Sequence, residues 1–401
     1  MIRTPGCEIL PLFLNKLPVL FYVLPVLCLF SFAGCRSNES ASVSSGNLQL
    51  INAEKNLALG IDEETPNFSY AGIRYFRGEK PWLFSLNEGK NEIQMFDLQE
   101  QKLHKRLQFE VEGDKGVGHV FGFHVHNLDS IFIFPQFKGE IFITDTSKSI
   151  KNKHTYSVPD FHTPAFVLPD SPPVLQSGQR LVVRTRPEGN YNELKDEELS
   201  TRHLAYTINL NNGESGLLPH FYPKGYLAQG PRIFEFSMAA SPQKTVYSFF
   251  ADHRLYYSTS DTGELEEVYA RSKYLPDDFA NRPLSGTPLE NMQYTFGSNR
   301  YSGIMYDPYR EVFYRFCYPE VEIRDREEGM QLRGFPKKFS IMVLDKDLNI
   351  LGETLFDKPH YVPHNAFVAE EGLYISINHP ENPDNQEDYF AFALLVLEEG
   401  E

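Results

Sequence analysis

The sequence predicts an all-β protein, and a six-bladed β-propeller is the arrangement it favours. Beyond residue 66, no long segment shows apolar residues at the spacing of a helix face; short helical turns are expected only near 194–201 and 276–281. The chain has 32 Phe, 22 Tyr, 27 Gly and 27 Pro, a composition typical of many short strands joined by turns. A group of such strands recurs along the chain, which points to a repeat architecture.

The repeated unit is clearest at residues 301–318. An extended run ends at Tyr306, a turn contains Pro308, and a second run begins at Val312. Proline at the second turn position presets φ, and the preceding Asp307 can bond its own backbone. The two runs should therefore pair as an antiparallel hairpin.

Six copies of this unit are visible. Their second strands are residues 82–86, 131–134, 181–184, 245–250, 312–318 and 373–377, and their third strands are residues 93–98, 141–145, 204–210, 255–257, 339–345 and 390–397. Candidate first strands precede them and more polar strands follow most of them, so each copy reads as four strands at a spacing of roughly 40 to 65 residues. Seven blades, or β-sandwich domains, are the alternatives. The run 70–76 could be the first inner strand or a closing strand.

The first 34 residues read as a signal peptide. Arg3 and Lys16 precede an apolar run that ends in two small residues and Cys35. The order apolar, small, small, Cys, from Phe32 onward, resembles the lipobox of bacterial lipoproteins, with Phe where that family more often has Leu. The resemblance implies cleavage before Cys35, a diacylglyceryl group on its sulfur and acylation of its new amino group.

A transmembrane anchor is the alternative, because the apolar run approaches the length of a membrane span. Two prolines, Pro18 and Pro25, and the abrupt change to polar residues at 36–42 favour a processed lipoprotein on a flexible tether. The expected organisation is a signal peptide at 1–34, a lipidated Cys35 with a tether to residue 66, and a single propeller domain at 67–401.

Charge and cysteine content exclude some functions. With 54 acidic and 38 basic residues, the net charge of −16 opposes broad binding to nucleic acid.

Of the four cysteines, Cys7 and Cys28 lie in the predicted signal peptide and Cys35 would carry lipid, which leaves Cys317 as the free cysteine of the expected domain. Cys317 follows an aromatic residue in a strand, so a buried filler is expected and a catalytic thiol is not. A monomer is the expected state.

Three residues are weak candidates for catalysis: His124, Asp252 and His364. Innermost strands line the channel of a propeller, so these side chains could meet near its axis as a metal site or a proton-transfer pair. Solvated or core-capping histidines are the plainer interpretation. No ligand spacing demands a metal and no phosphate loop, GxSxG, HExxH or CxxC motif occurs, so neither metal nor cofactor is predicted.

Two arginines lie within apolar strands, Arg184 and Arg315, and each needs a partner there. They are expected either to pair with carboxylates or to line a channel that receives an anion. Loop tyrosines would suit contact with a carbohydrate or peptide, or would simply cap the blades; these are Tyr222, Tyr226, Tyr274 and Tyr361.

Four features occur together in this chain: the lipobox, the chain length, residues 244–249, and the turn 306–308 ahead of residues 313–315. This combination resembles a family of Bacteroidota lipoproteins classed as a domain of unknown function. The resemblance implies a propeller-like fold in a Gram-negative envelope, at the outer membrane, and brings no catalytic residues with it.

Two functions remain open from the sequence. The preferred one is a lipid-anchored binding or scaffold protein that presents a propeller face to a ligand, a carbohydrate or a protein partner. The alternative is an envelope hydrolase of a glycan, lactone or ester whose channel site uses His124, Asp252 or His364. Fold alone does not decide between them.

Overall fold

The computed structural model describes residues 46–400, except 166, 168–170, 177–178 and 191. The predicted signal peptide and Cys35 lie outside the described residues. Strands dominate the described part of the chain and form four four-stranded sheets and one eight-stranded sheet.

The eight-stranded sheet contains, in spatial order, β2 (Ile73–Arg77), β3 (Pro81–Asn87), β4 (Glu92–Asp97), β5 (Lys102–Gln108), β1 (Leu48–Gly60), β24 (Tyr389–Glu399), β23 (Leu373–Ser376) and β22 (Val362–Val368). We call β2–β5 its first half and β1 with β22–β24 its last half.

The other sheets are antiparallel meanders. Sheet 2 has β6 (Val120–Asn127), β7 (Ser130–Pro135), β8 (Glu140–Thr144) and β9 (Ile150–Thr155), and sheet 3 has β10 (Val174–Gln176), β11 (Arg180–Arg184), β12 (Ala205–Asn209) and β13 (Ser215–Leu217). Sheet 4 has β14 (Phe236–Ala240), β15 (Thr245–Phe249), β16 (Arg254–Ser258) and β17 (Glu266–Tyr269), and sheet 5 has β18 (Arg300–Asp307), β19 (Val312–Tyr318), β20 (Phe339–Leu344) and β21 (Ile350–Phe356).

The hairpin predicted at residues 301–318 is present as β18 and β19. The fully buried carboxylate of Asp307 accepts hydrogen bonds from the backbone N–H groups of Tyr309 and Arg310, at 2.9 and 3.0 Å. The hydroxyl of Tyr314 donates to the same carboxylate at 2.9 Å. The turn is thus held by the aspartate that the sequence placed before proline.

Helices are short and lie between strands: α1 (Asp196–Leu199), α2 (Pro288–Met292), α3 (Arg326–Leu332), a 3₁₀ turn (Glu88–Lys90) and a π turn (Gln293–Gly297). α1 lies within one predicted helical turn, whereas residues 276–281 form no helix. α2 begins at a capping box in which the Thr287 hydroxyl accepts from the Glu290 N–H. In the described residues, no helix is long and apolar enough to cross a membrane.

The predicted tether extends too far along the chain, because residues 48–60 form β1. β1 pairs antiparallel with β24 from Leu48 opposite Glu399 to Gly60 opposite Tyr389. Most of its side chains are exposed. An outermost strand has few core-facing positions, which explains why its sequence reads as polar linker. The run 70–76 contributes β2, so it is not the closing strand.

The core consists of buried apolar clusters, each between two sheets that are neighbours in the chain. One further cluster joins the two halves of the eight-stranded sheet and includes Phe96, Leu59 and Phe390. Among the first strands, β2 contacts both β6 and β22, and β14 contacts β18. Sheets that pack face to face in chain order, with neighbouring first strands, form the propeller-like arrangement that the sequence predicts.

Candidate functional site

A cavity of about 300 Å³ lies among the first strands of the sheets, and we call it the inner cavity. Its lining residues are Ile73, Arg74 and Tyr75 of β2, Ala239 and Ala240 of β14, Ile304, Met305 and Tyr306 of β18, Ala366, Phe367 and Val368 of β22, and Pro172 and Pro308. Alanines on two of these strands leave room where larger side chains would fill the centre. The cavity lies where ligand sites in closed β architectures commonly lie.

The wall of the inner cavity is mostly apolar. Among the described residues that line it, Arg74 alone carries charge; it is 8% exposed and its Nη1 donates to the carbonyl of Ile73 at 2.8 Å. The ring of Tyr75 stacks on Phe367, with centroids 5.4 Å apart. Burial raises the pKa of Tyr75, so its hydroxyl stays neutral. Tyr75 and Phe367 thus form a packed aromatic part of the cavity wall.

His124 lies on the first strand β6 and is half-buried. Burial, followed by the positive charge of Arg74, lowers its pKa to about 3. The imidazole is consequently neutral at physiological pH. A base with so low a pKa is poorly matched to proton abstraction near pH 7.

His364 lies on the first strand β22 and is also half-buried. Its ring stands edge-on to Phe68, with centroids 5.0 Å apart, and burial lowers its pKa to about 4. Its Nε2 is buried and makes no hydrogen bond within the described part of the chain. His364 thus packs against an aromatic side chain, as a histidine that caps the core does.

Asp252 lies in the turn between β15 and β16, not on a first strand. Its carboxylate accepts from the Arg254 N–H and the Tyr256 hydroxyl, both at 2.9 Å. Across the described residues, no hydrogen bond joins any two of His124, Asp252 and His364, and no group of three or more His, Cys, Asp or Glu could hold a metal ion. The structure does not bring the three candidates together as a catalytic set.

Arg184 ends β11, and its side chain is inaccessible to solvent. Its Nη2 donates to Oε2 of Glu235 at 2.5 Å, and its guanidinium carbon lies 4.5 Å from the centroid of Phe236. Burial opposes ionisation of Glu235, but Arg184 and Arg186 together outweigh it, so the pKa of Glu235 is lowered. Arg184 thus pairs with a carboxylate, which was one of the two roles expected for it.

Arg315 is fully buried in the middle of β19, and within the described part of the chain it makes no hydrogen bond to a carboxylate. Its Nε donates to Ser248 Oγ at 2.9 Å, and its two terminal nitrogens donate to the backbone carbonyls of Asp252, His253 and Ala270, at 2.7 to 3.0 Å. The guanidinium carbon lies 3.3 Å from the ring centroid of Tyr301. Its donors are occupied by the protein itself.

The four tyrosines expected on loops differ in burial. Tyr222 and Tyr226 are buried, with 2% and 5% exposure, as expected of aromatic residues that cap the blades, whereas Tyr274 and Tyr361 are half-buried. Cys317 is buried and burial raises the pKa of its thiol, as a core filler requires. Sequence reasoning missed Arg74, although it alternates with apolar residues in a run already proposed as an inner strand.

Comparison with known proteins identifies relatives of the whole domain. A family model described as a domain of unknown function, DUF4221, matches residues 47–355. The crystal structure of a member of this family from Bacteroides vulgatus ATCC 8482 is similar, with 25% identity and a TM-score of 0.78, over 88% of this chain and 99% of that one.

A protein from Bacteroides fragilis NCTC 9343 is similar in fold, with 11% identity and a TM-score of 0.51, over 90% of this chain and 98% of that one. No curated protein matches the sequence. The resemblance to a propeller-like domain of unknown function is confirmed, whereas its lipoprotein part stays a prediction.

Proposed function

Because the chain belongs to the DUF4221 family, a propeller-like domain of unknown function, we propose that it is a binding protein whose ligand occupies the inner cavity. The convergence of four first-strand segments on one largely apolar space carries this proposal. A volume of about 300 Å³ is at the small end of ligand sites. The ligand class that fits is a small, neutral, largely apolar molecule.

The geometry favours binding over the hydrolase alternative. His124 and His364 have lowered pKa values, and Asp252 bonds within its own turn. A hydrolase needs a nucleophile or activated water with a base in hydrogen-bond reach. Turnover of an ester such as 4-nitrophenyl butyrate, abolished by His124→Ala or His364→Ala in folded protein, would favour the hydrolase instead.

The binding proposal is tested with 2-naphthol, a flat neutral probe, by isothermal titration calorimetry. Ala240→Leu places extra carbon atoms in the inner cavity, whereas the matched change Ala53→Leu adds the same atoms to an exposed residue of β1 that lines neither the inner cavity nor the cavity next to sheet 4. We expect about tenfold weaker binding for Ala240→Leu, which corresponds to about 1.4 kcal/mol. Ala53→Leu should bind as the wild type does.

Circular dichroism and thermal unfolding establish that both variants are folded. Absence of 2-naphthol binding to the wild type, or equal binding by the wild type and Ala240→Leu, would contradict the site.

We further propose that the domain has six blades. Strand pairing between the two halves of the eight-stranded sheet is limited, in the described residues, to the parallel pair Gly60 and Lys102. Each half also packs against a different neighbouring sheet. Each half would then be one blade, with β1 as the outermost strand of the last. The last blade would then combine strands from both ends of the described domain, so the ring of blades would close without an exposed sheet edge between its first and last blades. A crystal structure with seven four-stranded repeats would contradict this count.

We also propose that Cys35 is lipidated and holds the protein on the outer membrane of a Gram-negative envelope. The support is the order of basic residues, apolar run, small residues and cysteine in the sequence. In a Bacteroides host, Cys35→Ser should move the protein out of the membrane fraction and remove the acyl mass from its N-terminal peptide. Cys28→Ser is the matched control and should change neither. Retention of Cys35→Ser in the membrane fraction would count against lipid anchoring.

A further inference from the structure

A second cavity, of about 330 Å³, lies among loops next to sheet 4, and we call it the loop cleft. Three segments line it: residues 223–232, the turn and strand at 251–256, and residues 277–279, together with Tyr269. It shares no lining residue with the inner cavity. Its walls are more polar than those of the inner cavity, so it suits a different class of ligand.

Hydrogen bonds hold two walls of the loop cleft in place. The carboxylate of Asp196 accepts from the N–H groups of Gly225 and Leu227, at 2.8 and 2.7 Å. The His253 ring bonds the Tyr301 hydroxyl at 2.7 Å, and its Nε2 reaches the carbonyl of Asp277 at 3.1 Å. These bonds reduce the conformational freedom that a ligand would otherwise have to remove from the loops.

Aromatic side chains form part of the lining. Tyr226 and Tyr256 are buried, whereas Tyr269 is 36% exposed and Phe279 is half-buried. The ring of Phe279 packs on His253, with centroids 4.8 Å apart. The cleft is therefore partly lined by aromatic side chains, of which Tyr269 is the most accessible to solvent.

The charged residues of the loop cleft balance. The lining has three carboxylates and three cations: Asp252, Asp277, Asp278, Lys224, Arg232 and Arg254. An ionic ligand would gain little net Coulomb attraction from equal numbers of opposite charges. A neutral ligand with many hydroxyl groups can donate to carboxylates and accept from guanidinium and ammonium groups at the same time.

We propose that the loop cleft binds a neutral sugar, as the end of a glycan or a disaccharide. Hydroxyl groups match the mixed donors and acceptors, and the apolar C–H face of a pyranose packs on an aromatic ring such as Tyr269. Asp252 supplies a half-buried acceptor that the Arg254 N–H and the Tyr256 hydroxyl already orient. The cleft volume lies in the range of small-ligand sites.

The test is titration calorimetry of the full chain with five neutral disaccharides: maltose, cellobiose, xylobiose, lactose and N,N′-diacetylchitobiose. We expect at least one to bind with a Kd of about 1 mM. Tyr269→Ala should weaken that binding by about tenfold, and Asp252→Asn by about fivefold. Tyr389→Ala is the matched control, since Tyr389 is 39% exposed and lies outside the cleft; it should bind as the wild type does.

Two further probes separate the neutral-sugar proposal from its competitors. Tetramethylammonium and a sulfated heparin disaccharide test whether the cleft selects a cation or an anion. Binding of either one, lost in Tyr269→Ala, without binding of any neutral disaccharide would overturn the proposal. So would the absence of disaccharide binding up to about 20 mM, or binding that Tyr269→Ala and Asp252→Asn leave unchanged.

Ala240→Leu fills the inner cavity and should leave sugar binding unaltered. This variant makes failure at one site distinguishable from failure at the other.

Discussion

Arg184 and Arg315 are both buried arginines on the second strand of a sheet, yet their charges are stabilised in different ways. Arg184 of sheet 3 reaches the carboxylate of Glu235, which precedes the first strand of sheet 4. Arg315 of sheet 5 reaches backbone carbonyls at the turns and strand ends of sheet 4. Each side chain thus joins two neighbouring sheets, one through an ion pair and the other through neutral dipoles.

The difference shows that a buried guanidinium does not require a carboxylate. The carbonyls of Asp252 and His253 lie in a turn and that of Ala270 follows β17, so none of the three residues belongs to a strand. A buried carbonyl without a donor is costly, and a guanidinium has five N–H donors in a fixed fork. Arg315 and these carbonyls therefore satisfy each other.

The largest expected effect comes from Arg315→Leu. This change leaves three carbonyls without their charged donor and should lower the free energy of unfolding by about 3 to 5 kcal/mol. Urea denaturation followed by tyrosine fluorescence measures it. Arg77→Leu, at an exposed arginine that ends β2, is the control and should change stability little. If Arg315→Leu lowered the free energy of unfolding no more than this control does, the hydrogen bonds of Arg315 to the carbonyls would not stabilise the fold.

The next effect is a pH dependence in the region around Arg315. Burial, followed by the charge of Arg315, lowers the pKa of His253 to about 4. Between pH 6.5 and 4 the unfolded chain binds a proton at this residue that the folded chain does not, so stability falls as pH falls. The contribution of His253 is up to about 3 kcal/mol, fully present above its unfolded pKa and lost as pH drops towards 4.

Urea denaturation at pH 7, 5.5 and 4.5 should show a weaker pH dependence for His253→Gln than for the wild type. His104→Gln replaces an exposed histidine and should keep the wild-type dependence. Identical slopes for the wild type and His253→Gln would contradict the assigned role.

A smaller loss is expected for Arg184→Met, about 1 to 3 kcal/mol, because water can reach Glu235, whose side chain is 27% exposed. The pKa of Glu235 is lowered in the folded state, so the ion pair contributes stability above the unfolded pKa, near 4.3, and loses it as pH falls through the folded value. The difference between the wild type and Arg184→Met should shrink below about pH 4.

In the His253→Gln background, which removes the titration linked to the charge of Arg315, the loss caused by Arg315→Leu should not shrink in that manner, since Arg315 has carbonyl partners. Urea titrations at pH 7 and 3.5 compare the two. A loss for Arg184→Met that is equally large at both pH values would rule out the ion-pair account.

The smallest effect concerns Cys317, two residues beyond Arg315 on β19. Its thiol is buried with a raised pKa, so it should react with an aromatic disulfide reagent about a thousandfold more slowly in the folded chain than in urea. Arg315→Leu should speed this labelling more than Arg184→Met does. Rapid labelling of the native wild-type protein would show that β19 is not the protected strand described above.

The sequence allowed the β18–β19 hairpin to be predicted in detail, because Asp307, Pro308 and the strands they join are local to one another. It also indicated that Arg315 must have a partner. It could not identify the partners. Asp252 and His253 are about sixty residues from Arg315 and Ala270 is 45 residues away, and all three accept through backbone carbonyls, which every residue possesses.

The expected meeting of His124, Asp252 and His364 near the axis also depended on contacts between distant parts of the chain. His124 and His364 do lie on first strands, as expected, whereas Asp252 lies in a hairpin turn of another strand pair. The predicted strands 245–250 and 255–257 already placed Asp252 in that turn, and strand periodicity carries no information on how far a turn lies from the first strands of other sheets.

By itself, the sequence determined the all-β class, the strand repeats and the buried state of Arg184, Arg315 and Cys317, because apolar alternation and turn chemistry act over a few residues. The tertiary structure alone decided that β1 joins β24, which acceptors surround each arginine, and where the inner cavity and loop cleft form. These features depend on packing between sheets that are distant in the chain, and the free energy of that packing is not encoded in any local pattern.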